Sequence, residues 1–129
     1  MDLLIVDDSF TMLHSILRAL TEGHVPITHV REAGDGANAL SALSLHPPNL
    51  LITDITMPIL DGLKLVRAVR KQFSAARVRI IVVTSKPTQM ICSALSAMNV
   101  DAIVSKPFAP NDLAAIVNRV MAGAMAAAH

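Results

Sequence analysis

The feature that most constrains this chain is a fivefold alternation of short apolar runs with longer segments of helical periodicity. The runs are "DLLIVD" (2–7), "ITHVREA" (27–33), "NLLITD" (49–54), "RIIVVTS" (79–85) and "DAIVSK" (101–106). Three of them are Val, Ile or Leu at nearly every position, the pattern of strands buried on both faces of a parallel sheet. Between them, residues 9–20 place Phe10, Leu13, Ile16, Leu17 and Leu20 on a 3.6-residue period, and 36–45 bring Leu40 and Leu43 inward. Residues 62–73 set Leu63, Val66 and Val69 against basic residues on the opposite side. Segments 87–100 and 110–125 complete the set, each opening on a proline suited to a first helical turn. Five β-α units predict an α/β fold, a doubly wound parallel sheet with five helices.

The chain has 129 residues, 53% of them apolar and 16% charged, enough for one domain with a substantial core. A formal charge of +1 with scattered Lys and Arg, and no zinc-finger or RNA-binding signature, argues against direct nucleic-acid binding. One cysteine, Cys92, excludes an internal disulfide, and the five histidines lack zinc-ligand spacing. No apolar run reaches membrane-spanning length and "MDLLIVDDS" lacks the basic start of a signal peptide, so no membrane insertion and a cytoplasmic location are expected.

Chemistry is concentrated where the strands end. In open α/β sheets ligands bind beyond the carboxyl ends of the strands, where strand order reverses. Here strand one ends in Asp7-Asp8, strand three in Asp54, strand four in Thr84-Ser85 and strand five in Lys106-Pro107. Taken singly, Asp8 or Ser9 reads as a helix cap, Asp54 as a turn residue beside Pro58, and Lys106 as a solvated strand end. Together they outweigh those readings. If strands one and three are neighbours, three carboxylates converge, and like charges that close call for a cation among them. All-oxygen ligands suit Mg²⁺ or Mn²⁺. Lys106 supplies a compact positive charge for a phosphate, Thr84 a hydroxyl donor, and small Ser85 room for backbone amides to approach a phosphoryl group. An aspartate can itself attack phosphorus, which makes Asp54 a candidate nucleophile.

The motifs "IVDDS", "EAGDGANAL", "LITDITMPILDG", "IIVVTS" and "VSKPF", in this order and spacing, resemble the receiver domain of bacterial response regulators over residues 2–122. The resemblance implies a flavodoxin-like sheet of strand order 2-1-3-4-5. It implies phosphorylation of Asp54 by a histidine kinase, a phosphotransfer protein or a small phosphodonor. Asp7, Asp8, the Asp54 carboxylate and the Thr56 carbonyl would hold Mg²⁺. Thr84 and Lys106 would bind phosphoryl oxygens, Lys106–Pro107 would be cis, and Asp61-Gly62 matches the turn after the phosphorylation loop. The receiver domain is expected over 1–122, with 123–129 an Ala-rich tail or expression scar. It would switch binding of a target protein at the face of helix four, strand five and helix five, in two-component signalling of the stand-alone chemotaxis or phosphorelay type.

Two positions depart from the family pattern. The switch aromatic three residues before the lysine is Ile103, so aliphatic packing through Ile91, Leu95 and Met98 is expected on the output face. Lys86, two residues past Thr84, lies with Thr56 where the family tunes phosphate lifetime; a stem leaning over the site would shield it, whereas a solvated residue before a helix would not. Three other readings are a receiver trimmed from a larger regulator, a pseudo-receiver that never carries phosphate, and a phosphohydrolase. The last needs a second acid two residues past the nucleophile, where this chain has Thr56.

Overall fold

A computed structural model describes residues 1–55 and 61–127. The element order is β1 (Asp2–Val6), α1 (Phe10–Glu22), β2 (His29–Ala33), α2 (Gly36–Leu45), β3 (Leu50–Thr53), α3 (Gly62–Gln72), β4 (Arg79–Thr84), α4 (Gln89–Ala97), β5 (Ala102–Ser105) and α5 (Pro110–Ala127). The five strands form one parallel sheet in the order β2-β1-β3-β4-β5. The expected fold class is the observed one.

Successive residues of a strand point to opposite faces, and that alternation splits the core in two. Leu3, Ile5, Leu50, Ile52, Ile81 and Val83 meet Leu13, Ile16 and Leu20 of α1 and Leu113 and Val117 of α5. On the other face, Leu4, Val6, Leu51, Ile80 and Val82 meet Leu43 of α2, Leu65, Val66 and Val69 of α3 and Leu95 of α4. Burial on both sides explains why the central strands read as continuous apolar runs.

Helix starts follow from single side chains. Ser9, Asp35, Asp61 and Thr88 each accept a backbone N–H three residues on, from Met12, Asn38, Lys64 and Ile91. Each such cap contributes about 1 kcal/mol. Ser9, rather than Asp8, caps α1, so the Asp8 carboxylate is not spent on the cap.

Several side chains depart from the periodicity. Phe10 is 77% exposed, because as the first residue of α1 it precedes the turn that packs on the sheet. In α3 the buried stripe is Leu65, Val66 and Val69, with Leu63 only partly covered at its edge. Helix α4 is shorter than expected. Thr88 caps it, so Pro87 stands outside the helix, whereas Pro110 opens α5 as expected. Leu95 of α4 is fully buried and serves the interior, whereas Ile91 and Met98 are partly buried at the edge of the same core and keep some surface open to solvent.

Candidate phosphoacceptor site

The sheet's strand order reverses between β1 and β3, and the acids cluster there. Ladder-like bonds continue past both strands: Asp7 N–H donates to the Ala33 carbonyl and Asp54 N–H to the Val6 carbonyl, both at 3.1 Å. Carboxylate oxygens of Asp7, Asp8 and Asp54 lie within 4.8 Å of one another. Asp7 is 2% exposed and Asp8 is open to solvent. Backbone amides orient the buried pair: Ser9 N–H donates to Asp7 Oδ1 at 3.0 Å, and Ile55 N–H to Asp54 Oδ1 at 2.6 Å.

Lys106 arrives from the end of β5, its N–H bonded to the Thr84 carbonyl at 2.8 Å. The Lys106–Pro107 peptide bond is cis. Lys106 Nζ donates to Asp7 Oδ2 at 3.0 Å and Asp54 Oδ2 at 3.1 Å. Burial works against the lysine charge, yet the hydrogen bonds and negative charges of Asp7 and Asp54 outweigh it and hold its pKa above the usual lysine value. Three carboxylates and one ammonium leave a formal charge of −2, which one divalent cation neutralises. The hard oxygen donors fit Mg²⁺.

Thr84 is buried at the end of β4; its hydroxyl oxygen accepts the Lys86 N–H at 3.1 Å, and among the described residues its hydroxyl proton has no acceptor. Ser85 and Lys86 are exposed beside it. Ile103 pairs with Val82 and lies partly buried on the α3–α4 side of the sheet, the face that Thr84 also shares by strand alternation. Thr56 lies outside the described residues. The structure therefore brings Asp7, Asp8, Asp54 and Lys106 into one cluster with Thr84 at the adjoining strand end.

Two residues escaped the sequence reading as parts of the site, Glu32 and Thr53. A cavity of about 210 Å³ opens beside Asp7 and Asp8, lined also by Phe10 and Glu32. Glu32 stands near the end of β2, the same edge as the acids, and that position was the available signal. The buried Thr53 hydroxyl donates to the Asp54 carbonyl at 2.9 Å and steadies the backbone beneath the candidate nucleophile.

A doubly wound parallel sheet with an acid–lysine cluster at its switch point defines an α/β protein with a candidate metal and phosphate site at the carboxyl ends of its strands. This chain belongs to the response regulator receiver domain family, which it matches over residues 3–118. It is 35% identical over 118 residues to the sensor histidine kinase TmoS of Ectopseudomonas mendocina; the match covers 92% of this chain and only 12% of that kinase. It is 26% identical to a probable chemotaxis protein CheY of Rhizobium etli, covering 91% of this chain and 89% of that protein. Among solved structures it superposes on the isolated receiver domain of RcsB from Salmonella enterica serovar Typhimurium, determined with phosphomimetic BeF₃⁻. The TM-score there is 0.81 at 27% identity, covering 95% of this chain and 89% of the other. Receiver domains are signalling modules rather than turnover enzymes.

Proposed function

We propose that this chain is a phosphorylation-operated switch in two-component signalling, with Asp54 as phosphoacceptor. The observation that carries this reading is the bidentate seat of Lys106 on Asp7 and Asp54 beside a third carboxylate, Asp8. An Asp54 carboxylate oxygen attacks the phosphorus of a phosphohistidine or acyl phosphate, the bond to the donor breaks, and the donor leaves with its electron pair. Asp7, Asp8 and Asp54 would hold Mg²⁺, with the Thr56 carbonyl as a further ligand; the ion supplies charge neutralisation on the transferred oxygens. Lys106 turns its ammonium to one phosphoryl oxygen, and Thr84 donates its hydroxyl proton to another. Exposed Ser85 leaves the strand-end backbone open to the same group.

The switched partner is a downstream target protein at the face of α4, β5 and α5, with a histidine kinase or phosphotransfer protein upstream, in a chemotaxis or phosphorelay setting. Bias of a two-state equilibrium by the phosphoryl group is the driving principle. The receiver unit is residues 1–122. Its placement inside a longer regulator is a second reading, favoured by the match to one segment of a much longer kinase. The intact mass of the cellular protein separates the two arrangements.

The test is incubation with acetyl phosphate and Mg²⁺, read on a phosphate-affinity gel. A Mg²⁺-dependent, acid-stable and base-labile shift that disappears in Asp54→Asn is expected. No shift in the wild type would instead make this a pseudo-receiver acting unmodified.

A further inference from the structure

Helix α3 carries four cations, Lys64, Arg67, Arg70 and Lys71, and no acid. They divide into two groups. Arg70 is largely buried and structural: its guanidinium donates to the carbonyls of Met98 at 2.9 Å, Val78 at 2.8 Å, Asn99 at 3.0 Å and Ser74 at 3.3 Å. The other three are exposed, and among the described residues no carboxylate pairs with them. At 100° per residue, positions 64, 67 and 71 fall within an arc of about 60° on the side away from Leu65, Val66 and Val69.

This stripe is unfavourable for the helix itself. Lys64 and Arg67 are three apart and Arg67 and Lys71 four apart, spacings at which like charges repel. Lys64 also sits in the first turn, where the helix dipole disfavours a cation; only Lys71, in the last turn, gains from it. With 11 Lys and Arg against 10 Asp and Glu the chain has no surplus of acid, and the acid adjoining this helix, Asp61, is engaged at its N-cap, where it accepts the Lys64 N–H at 2.9 Å. The three side chains are therefore available to carboxylates of a partner.

The neighbouring helix says what brings them. Between α3 and α4 runs a groove of about 370 Å³ with Arg67 and Lys71 on one wall and Ala94, Ala97 and Met98 on the other. Helix α4 has no charged residue. One wall carries cations suited to carboxylates, and the other is a shallow apolar surface made of small side chains and a methionine.

We infer that the α3–α4 groove docks an acidic, amphipathic segment of a partner protein, held by Arg67 and Lys71 on its charged side, with Lys64 continuing the stripe beyond the groove, and by Ala94, Ala97 and Met98 on its apolar side. Duplex nucleic acid presents no apolar stripe to the second wall, and three cations are few for a phosphate backbone. A membrane surface calls for large apolar side chains that insert, which this groove lacks.

The test titrates the ¹⁵N-labelled chain with a synthetic helical peptide bearing glutamates at i, i+4 and i+7 beside a leucine flank. Saturable amide shifts confined to α3 and α4 are expected, weakening as salt rises. The triple variant Lys64→Glu, Arg67→Glu, Lys71→Glu should lose affinity at least about tenfold and bind the peptide in which lysines replace the glutamates. Should that variant unfold, the milder pair Lys64→Gln and Arg67→Gln gives the same reading, with partial loss expected. Absent or non-saturating shifts, shifts on other elements, or unchanged affinity in the folded variants would overturn the assignment. So would tighter binding of phosphatidylglycerol vesicles or duplex DNA than of the peptide.

Discussion

A Cβ built on Gly62 would stand 2.1 Å from the carbonyl oxygen of Asp54. The first residue of α3 thus lies directly against the backbone of the candidate phosphoacceptor, and its N–H donates to the Ile55 carbonyl at 2.8 Å. The clash is with backbone, which has little freedom to yield. Gly62→Ala is expected to destabilise the fold by about 1–3 kcal/mol, the usual cost of overpacking. Acetyl-phosphate labelling of Asp54 should also slow. Urea unfolding and the labelling rate check both; an unchanged unfolding midpoint would show that α3 can shift freely.

Lys106 and a divalent cation compete for the same carboxylates. Deleting the ammonium in Lys106→Met, which keeps a side chain of similar length, changes the cluster's formal charge from −2 to −3. Without metal, Asp7 keeps a buried charge that has lost its partner, and the melting temperature should fall. With Mg²⁺ the variant should recover more than the wild type gains, because the cation finds one more unpaired charge. Melting curves with and without Mg²⁺ decide it; equal Mg²⁺ gains in both proteins would separate Lys106 from the metal site.

Asp2, at the opposite end of β1, accepts from His29 Nδ1 at 3.0 Å and lies 3.3 Å from His46 Nε2. The hydrogen bonds from His29 and then His46 hold its carboxyl below the usual carboxylate range. With the folded pKa depressed, its stabilisation is present above the unfolded value and disappears as pH falls through the folded one. Asp2→Asn should therefore flatten the acid limb of stability against pH and leave the curve's shape near neutrality unchanged. Denaturation at a series of acid pH values is the measurement, and an unaltered acid limb would discount the contact.

Arg70 and the exposed cations of α3 should respond oppositely to mutation. Arg70→Ala strips partners from four carbonyls around the ends of α3 and α4 and is expected to cost about 2–4 kcal/mol. Arg70→Lys should recover little, since an ammonium lacks the guanidinium fork. Neutralising Lys64 or Arg67 should move stability by no more than about 0.5 kcal/mol. Chemical denaturation compares the four variants, and a tolerated Arg70→Ala would show that water satisfies those carbonyls.

The sheet and its helices were legible because each element carries its own signal. A strand such as "LLIT" covered on both faces is almost wholly apolar, and the 3.6-residue period of 9–20, 36–45 and 62–73 announced α1, α2 and α3, whereas the start of α4 at the Thr88 cap was missed. Edges were less legible. Phe10 fits the apolar period of α1, but it precedes the packed turns and stays in solvent, which periodicity alone does not reveal. Ile91, Leu95 and Met98 were candidates for an aliphatic output face, and only the packing of α4 on the sheet shows that Leu95 is fully inward while Ile91 and Met98 are partly covered.

At the site, the residue types at the strand ends pointed to phosphate and metal chemistry. Their reach did not show. By itself, the sequence determined which elements form and which chemistry-bearing residues end the strands, since both depend on local pattern. The tertiary structure decided the rest: that β1 and β3 are neighbours, that Lys106 spans from β5 to Asp7 and Asp54, and that Arg70 faces inward while Lys64, Arg67 and Lys71 do not. Those are contacts between segments far apart in the chain, set by how the layers pack rather than by any local preference.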